Sequence, residues 1–423
     1  MSHPDPIEVI GLTIGDAPDA AVLARIRNAD ALAGGERLLA QVSRLAGTTA
    51  ESIVLKTPLE EVFAAIARAR DQGRRVAVLA DGDPLFFGIG ARLIEYFGQD
   101  AVRVTPAVTA VAAACARLSI PWHDLPAVSL HGRGDLTPLF AALRLKGRAA
   151  VYTDAVNSPD ALARRLLDLD IAEAALWILE NMGTPDERIR AVSLREAAGL
   201  TFSPLNVVIV ETSPAQNGVP VLGRPDDFYE RQNGLITKWP VRACALAALR
   251  LPPDCVLWDV GAGSGAVSVE ACALVRTGRV FAVERDPDRC RLIRENRKRS
   301  RAWLMEVVQA TAPEAFAALP DPDRIFLGGG LGGNRSESRG GESPQLLAEA
   351  CSRLKPGGRL AANVVLLSSL HAVLHHLNGL GWPVEIAQIQ ANLSSPLGSD
   401  TRLGAQHPVF IVCADKPVTD IPG

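Results

Sequence analysis

Two carboxylates and three glycines carry most of the chemistry in this sequence. The segment Val256-Leu-Trp-Asp-Val-Gly-Ala-Gly-Ser-Gly265 is an apolar run that ends in Asp259 and passes into Gly261, Gly263 and Gly265, with Ala262 and Ser264 between them. Glycines there let the loop turn sharply and let backbone approach a ligand closely. A second apolar run, Val280-Phe-Ala-Val-Glu284, ends in Glu284, 25 residues beyond Asp259 (284 − 259). A carboxylate at such a strand end can accept hydrogen bonds from both hydroxyls of a ribose. The chemistry implied is the binding of a nucleoside-type cofactor, and it is silent on the substrate.

The first half offers a different constellation. Val76-Ala-Val-Leu-Ala-Asp-Gly-Asp-Pro-Leu-Phe-Phe-Gly88 reads as a strand running into a polar turn, which exposes Asp83 and backbone amides at the strand's C-terminal end. In parallel sheets that edge is where ligands bind. His131 and Arg133, in Val128-Ser-Leu-His-Gly-Arg133, suit substrate carboxylates, since a guanidinium pairs with a carboxylate through two hydrogen bonds.

Other signals are weaker. His371, His375 and His376 have helical spacing but no third ligand nearby, so a solvated helix face is expected and no metal site. The basic stretch from Arg285 to Arg301 is read as an exposed helix face. No G-x-S-x-G, P-loop or H-E-x-x-H phrase occurs, so hydrolase, kinase and metalloprotease chemistry have no support.

The elements that must position these residues alternate. Short strand-like runs at Ile7–Leu12, Arg75–Ala80, Val102–Val104, Ala149–Thr153, Leu176–Glu180 and Asn206–Val210 alternate with helical stretches such as Leu59–Gln72, which predicts α/β layers with a parallel sheet. The turn-rich Thr212-Ser-Pro-Ala-Gln-Asn-Gly-Val-Pro220 interrupts the alternation. A second series follows, with a helix near Pro240–Arg250, strands Val256–Val260 and Arg279–Glu284, and a helix after Gly265. Two domains at 1–213 and 231–423 are expected, joined by a linker at 214–230.

With 423 residues, 48% apolar, 22% charged and a net charge of −3, the chain fits two globular cores. It lacks the positive field that attracts nucleic acid. Seven cysteines without C-x-x-C spacing are expected to be reduced. The N-terminus shows no secretory signal and no apolar run reaches membrane-spanning length, so a cytoplasmic location is expected.

The D-x-G-x-G-x-G order, with the acid before the glycines, is similar to the Rossmann-like methyltransferases and favours S-adenosyl-L-methionine over NAD. Further phrases in the second half are Leu235-Ile-Thr-Lys, Ala310-Thr-Ala-Pro313, Ile325-Phe-Leu-Gly-Gly-Gly-Leu-Gly-Gly333, Leu354-Lys-Pro-Gly-Gly358 and Ser395-Pro-Leu-Gly. Together they resemble the decarboxylating precorrin C15-methyltransferase family. The resemblance implies cofactor contacts at Thr237, Asp259, Gly261, Ala262, Gly263, Ser264, Gly265 and Glu284, with Ala312 beside the adenine. It implies that Gly328, Gly329, Gly330, Gly332 and Gly333 face the reacting tetrapyrrole. Three departures stand out: Pro240 and Ser368, each where the family usually has Glu, and an apparent insertion at 334–343.

In the first half, Val76–Gly88 is followed by Val104-Thr-Pro-Ala-Val-Thr-Ala, Pro121-Trp, Ser129-Leu-His-Gly-Arg133 and Glu180-Asn-Met-Gly-Thr-Pro-Asp-Glu-Arg-Ile189. These resemble the tetrapyrrole methylase fold, in its precorrin C5-methyltransferase branch, over about residues 7–211. The resemblance implies a two-lobed fold with the cofactor near Gly82, Asp83, Pro84, Phe86, Ile89 and Thr109. Here Thr13 stands for a usual glycine and Asp81 for a usual serine.

Both halves together resemble the fused precorrin C5,15-methyltransferases (decarboxylating). That implies methylation of precorrin-6B at C5 and C15 with loss of carbon dioxide from the C12 acetate, giving precorrin-8 in aerobic cobalamin synthesis. The expected cofactor is S-adenosyl-L-methionine at two sites, one per domain. The expected partners are a small-molecule tetrapyrrole and further copies of the chain, with no nucleic acid and no membrane. Two alternatives are an RNA methyltransferase and a fusion in which one impaired domain acts as a scaffold.

Overall fold

Why the inner strands are largely apolar is visible in β1 (Ile7–Leu12), β2 (Ala31–Gly34) and β4 (Val76–Asp81), whereas the edge strands β3 (Glu51–Val54) and β5 (Val102–Thr105) carry polar residues. In a computed structural model that describes residues 5–13, 15, 17–171, 173–212, 220–328 and 342–418, these strands form one parallel sheet in the order β3-β2-β4-β1-β5. Side chains alternate across a strand. Thus Val76 and Val78 pack on one face with Val62, Phe63 and Ile66, while Ala77 and Leu79 pack on the other with Ile26, Leu38 and Val42. Helices cover both faces, so polar alternation has no place in the inner strands.

The second sheet of this half departs from the parallel expectation. It contains β6 (Ala127–Ser129), β7 (Arg148–Tyr152), β8 (Ala174–Glu180), β9 (Arg188–Ser193) and β10 (Asn206–Thr212), in the order β6-β7-β10-β8-β9. Only β6 and β7 pair in parallel; the other pairs are antiparallel. The connection between β8 and β9 is too short for a crossover helix, so the chain must reverse on itself.

The second half builds β11 (Val256–Val260), β12 (Arg279–Glu284), β13 (Met305–Gln309), β14 (Arg324–Leu327), β15 (Arg359–Val364), β16 (Val384–Ile389) and β19 (Val409–Asp415) into a seven-stranded sheet, while β17 (Asn392–Leu397) and β18 (Asp400–Ala405) pair as a separate hairpin. The order is β13-β12-β11-β14-β15-β19-β16, parallel except for β19. The strand order reverses between β11 and β14, which opens a crevice at their C-terminal ends. One face of the sheet is filled by Trp258, Phe281, Ile325, Leu360 and Phe316, with Trp258 and Phe316 stacked at 4.6 Å.

The chain divides into two compact units. One comprises Met1–Gly134, Lys146–Asp168 and Ala172–Thr212; the other comprises Asp135–Leu145, Leu169–Ile171 and Ser213–Gly423. Residues 220–230 are bound tightly into the second unit: Gly223 and Arg224 donate their N–H groups to the buried Glu270, as does the Tyr229 hydroxyl. All seven cysteines are free, and burial pushes the thiols of Cys255, Cys272 and Cys351 up to about 12. Among the described residues no helix is long and apolar enough to cross a membrane.

Candidate active sites

The glycine loop of the second unit is held from below by side chains. Gly261 and Ala262 donate their N–H groups to the Val283 carbonyl. Glu284, at the end of β12, accepts from Gly263 N at 2.9 Å and from the N–H groups of Arg285 and Asp286 at 2.9 and 3.1 Å. Asn296 donates to the Ser264 carbonyl at 2.8 Å and pairs both ways with the Glu230 backbone. Gly265 opens the next helix with φ +74°, and a Cβ there would lie 2.8 Å from Ile293 Cγ2. Only glycine combines that left-handed conformation with that closeness.

Above the loop is a cavity of about 500 Å³, within the roughly 300–1,000 Å³ of small-molecule sites. It is lined by Thr237, Lys238, Gly261, Gly263, Ser264, Arg289, Gly328, Asn363, Gln406 and His407, among others. Asp259 stands beneath it and is 1% exposed. Its Oδ2 accepts from the Ser268 hydroxyl at 2.5 Å, while Oδ1 is buried with no partner among the described residues. Burial pushes the Asp259 carboxyl up to about 7, against the pull of Ser268 and with a contribution from the nearby Glu284 charge. A buried pair of acids under a glycine loop, one with an unused oxygen, fits a cationic nucleoside such as S-adenosylmethionine.

Arg242 and Glu270, which sequence reasoning passed over, brace this site. Both are fully buried, and Arg242 Nε donates to Glu270 at 2.8 Å. The same guanidinium reaches the Thr237 carbonyl at 2.5 Å and the Arg224 carbonyl at 2.7 Å. It thereby fixes the segment that carries Thr237 and Lys238 into the cavity wall.

In the first unit the turn after β4 is built from backbone. Gly82 N donates to the Leu12 carbonyl at 2.8 Å, Asp83 accepts from Leu85 N at 2.9 Å, and Gly90 N donates to the Pro84 carbonyl at 2.9 Å. A Cβ on Gly11 would lie 2.3 Å from the Gly82 carbonyl oxygen, so β1 and the turn touch through glycine alone. Thr109 caps the helix Ala110–Leu118, accepting from Ala112 N at 3.0 Å. A Cβ on Gly82 would lie 3.2 Å from the Thr109 Cα, which places the two expected contacts side by side. The Phe86 ring stands 6.2 Å from that of Tyr152, whose hydroxyl is pushed upward by burial. Ile89 packs into the core of the parallel sheet.

These two constructions have counterparts among known proteins. Residues 7–198 match the family described as tetrapyrrole (corrin/porphyrin) methylases, and residues 227–416 match the precorrin methyltransferase domain. A precorrin-6Y C(5,15)-methyltransferase [decarboxylating] of Mycobacterium tuberculosis is 36% identical over 388 residues, covering 91% of this chain and 92% of that one. The chain belongs to the precorrin-6Y C5,15-methyltransferase (decarboxylating) family. Two single-activity relatives from Salmonella typhimurium match parts of it. A cobalt-precorrin-6B C(15)-methyltransferase (decarboxylating) is 34% identical over 45% of this chain and 93% of that one. A cobalt-precorrin-7 C(5)-methyltransferase is 39% identical over 40% of this chain and 80% of that one.

The departures from the two family patterns lie at or beside the ends of elements. Pro240 occupies the first turn of the helix Trp239–Leu249, where a missing N–H costs no hydrogen bond. Ser368 is exposed in the first turn of the helix Leu367–Gly379, outside the cavity wall. Asp81 is exposed at the end of β4 and pairs with Arg37 at 2.5 Å, and Thr13 follows the end of β1 half-buried.

Of the other expected contacts, Gly328 lines the cavity, whereas Gly329, Gly330, Gly332, Gly333 and the segment 334–341 lie outside the described residues. Ala312 is half-buried against the core and does not line the cavity. His131 and Arg133 are exposed on the loop after β6. That loop is pinned by Gly132 N to Asp154 at 2.6 Å and by the Asn157 amide to the Arg133 carbonyl at 3.0 Å. The Asn157 N–H is the main group holding the Asp154 carboxyl below its usual value.

The basic stretch needs correction. Within the helix Pro287–Ser300, Asn296 and Arg297 are buried, and Arg297 donates to the Leu169 carbonyl at 2.7 Å. A helix that supports the glycine loop must bury one face, whatever its net charge. His371 and His375 are exposed and stack at 6.2 Å. Among the described residues no group of three or more His, Cys, Asp or Glu side chains is placed to hold a metal.

Proposed function

We propose that this chain methylates precorrin-6B at C5 and C15 and removes carbon dioxide from the C12 acetate, with one S-adenosylmethionine site in each unit. The observation that carries this reading is the pairing, in one chain, of two unlike sites, each inside the span of its own methyltransferase family. The second unit takes C15 methylation and decarboxylation, and the first takes C5.

When bound, S-adenosylmethionine supplies an electrophilic methyl group on a positively charged sulfur. In the second unit, Glu284 would accept from the ribose hydroxyls, Gly261, Ala262, Gly263, Ser264 and Gly265 would present backbone to the amino-acid end, and Thr237 would border it. Asp259 offers its unused Oδ1 to the positive charge from beneath. In the first unit, the turn Gly82-Asp83-Pro84 with Phe86, Ile89 and Thr109 plays the corresponding part. Little more is asked of side chains, because the ring carbons of the substrate are electron-rich; alignment and exclusion of water provide most of the rate. In decarboxylation the C–CO2 bond breaks, carbon dioxide leaves and the electron pair enters the protonated conjugated ring.

Mass spectrometry of the product formed anaerobically from precorrin-6B and S-adenosylmethionine tests this. Wild type is expected to give two added methyls and one lost carbon dioxide, Glu284→Ala only the C5 methyl, and Asp83→Ala only the C15 changes. An unchanged substrate mass with folded wild type overturns it.

A further inference from the structure

Asn363 sits near the C-terminal end of β15. Its carboxamide nitrogen and oxygen are both buried without a hydrogen-bond partner among the described residues, although Asn363 lines the cavity. Leu360, Ala362 and Val364 enter the core on one face of β15, so alternation turns Asn363 to the other face, where the helix Trp239–Leu249 packs. Burying an amide with nothing to bond opposes folding. A site that keeps one is shaped for a ligand that supplies both a donor and an acceptor.

The sheet order says which ligand. Glu284 ends β12, on one side of β11, whereas Gly328 follows β14 and Asn363 lies on β15, on the opposite side. A nucleoside held by Glu284 therefore occupies the β12 side and leaves the β14–β15 side for the methyl acceptor. Gln406 and His407 reach the same part of the cavity from the segment that enters β19, the antiparallel neighbour in which Ile411 pairs with Asn363.

We propose that Asn363 binds the tetrapyrrole in the second unit, its carbonyl oxygen accepting from a pyrrolic N–H and its amide nitrogen donating to a peripheral carboxylate. An acceptor placed on a ring nitrogen favours the protonated ring that takes up electrons when carbon dioxide leaves. The inference rests on the reading of this cavity as the C15 site. The same donor and acceptor would also suit the amino-acid end of the cofactor, so the test separates the two.

The full chain is compared with Asn363→Ala and the near-isosteric Asn363→Leu. Measured quantities are KM and kcat for carbon dioxide release from precorrin-6B, the C5 methyl count, S-adenosylhomocysteine binding by calorimetry, and Tm. Both variants are expected to raise KM for the tetrapyrrole by about tenfold or more, the effect of losing one or two hydrogen bonds. S-adenosylhomocysteine Kd should stay within about twofold, C5 methylation should persist, and Asn363→Leu should melt no lower than wild type, since it removes an unsatisfied amide. An unchanged KM in a folded variant, or a cofactor Kd that rises as much as KM, overturns the inference alone. Wild type that releases no carbon dioxide overturns the C15 reading and the inference with it.

Discussion

The two units put their candidate sites at the same kind of place, the C-terminal ends of parallel strands, and build them from opposite materials. In the first unit the turn is backbone: Gly82, Pro84 and Gly90 bond through main-chain groups, Asp83 is half-buried and Asp81 is exposed. In the second, acids are buried under the loop, with Asp259 1% and Glu284 5% exposed. A backbone site folds at little electrostatic cost and depends on shape. A buried-acid site is costly to fold and keeps that cost as affinity for a positively charged ligand.

The comparison breaks most visibly at glycine. Gly265→Val puts a branched side chain at φ +74° against Ile293, and C15 methylation and carbon dioxide release are expected to fall about 100-fold or more while C5 methylation persists. Gly11→Val, aimed at the Gly82 carbonyl 2.3 Å away, should do the converse. If either substitution removes both activities from a folded protein, as read by product mass, the two sites are not separate.

A smaller effect tests the bracing of the buried site. Arg242→Met strands Glu270 in the core and should cost about 3–5 kcal/mol, seen as a lower Tm for the second unit's transition. Equal loss in both transitions would contradict a brace local to the second unit.

Asp259 sharpens the comparison through pH. Its carboxyl is raised from 3.8 to about 7 by burial, so the folded protein holds the proton more tightly than the unfolded chain. Its contribution to stability is therefore full below about pH 4 and is lost as pH rises through about 7. Asp259→Asn cannot ionise, so its Tm should gain on wild type steadily from pH 4 to pH 7 and then hold a constant lead. A gap that does not vary with pH would show that Asp259 is not raised.

The least effect is expected at Asp81→Ser. The Arg37–Asp81 pair is about half exposed on both sides, and such pairs contribute only about 0–1 kcal/mol. A Tm shift within about 2 °C and C5 methylation within about threefold are expected from product counts and melting curves.

Much of this was legible in the sequence because it is local. The run Val256–Gly265 reads as strand, tight loop and helix from the order of its residues, and Glu284 reads as a strand end in the same way. The antiparallel sheet from β7 to β10 was not legible, because the periodicity of a buried strand carries no direction. Nor was the burial of Arg297 and Asn296 inside a highly charged helix, where five side chains turn inward while the rest set the composition.

The sequence by itself determined the family, the two methyltransferase halves and the residues of the glycine loop, since these depend on short-range order along the chain. Only the tertiary structure decided that Arg242 and Glu270 meet in the core and that, among the described residues, Asp259 keeps an unused oxygen and Asn363 reaches the cavity without a partner. Those facts depend on which distant segments exclude water together, and burial is a property of the packed assembly that no single segment carries.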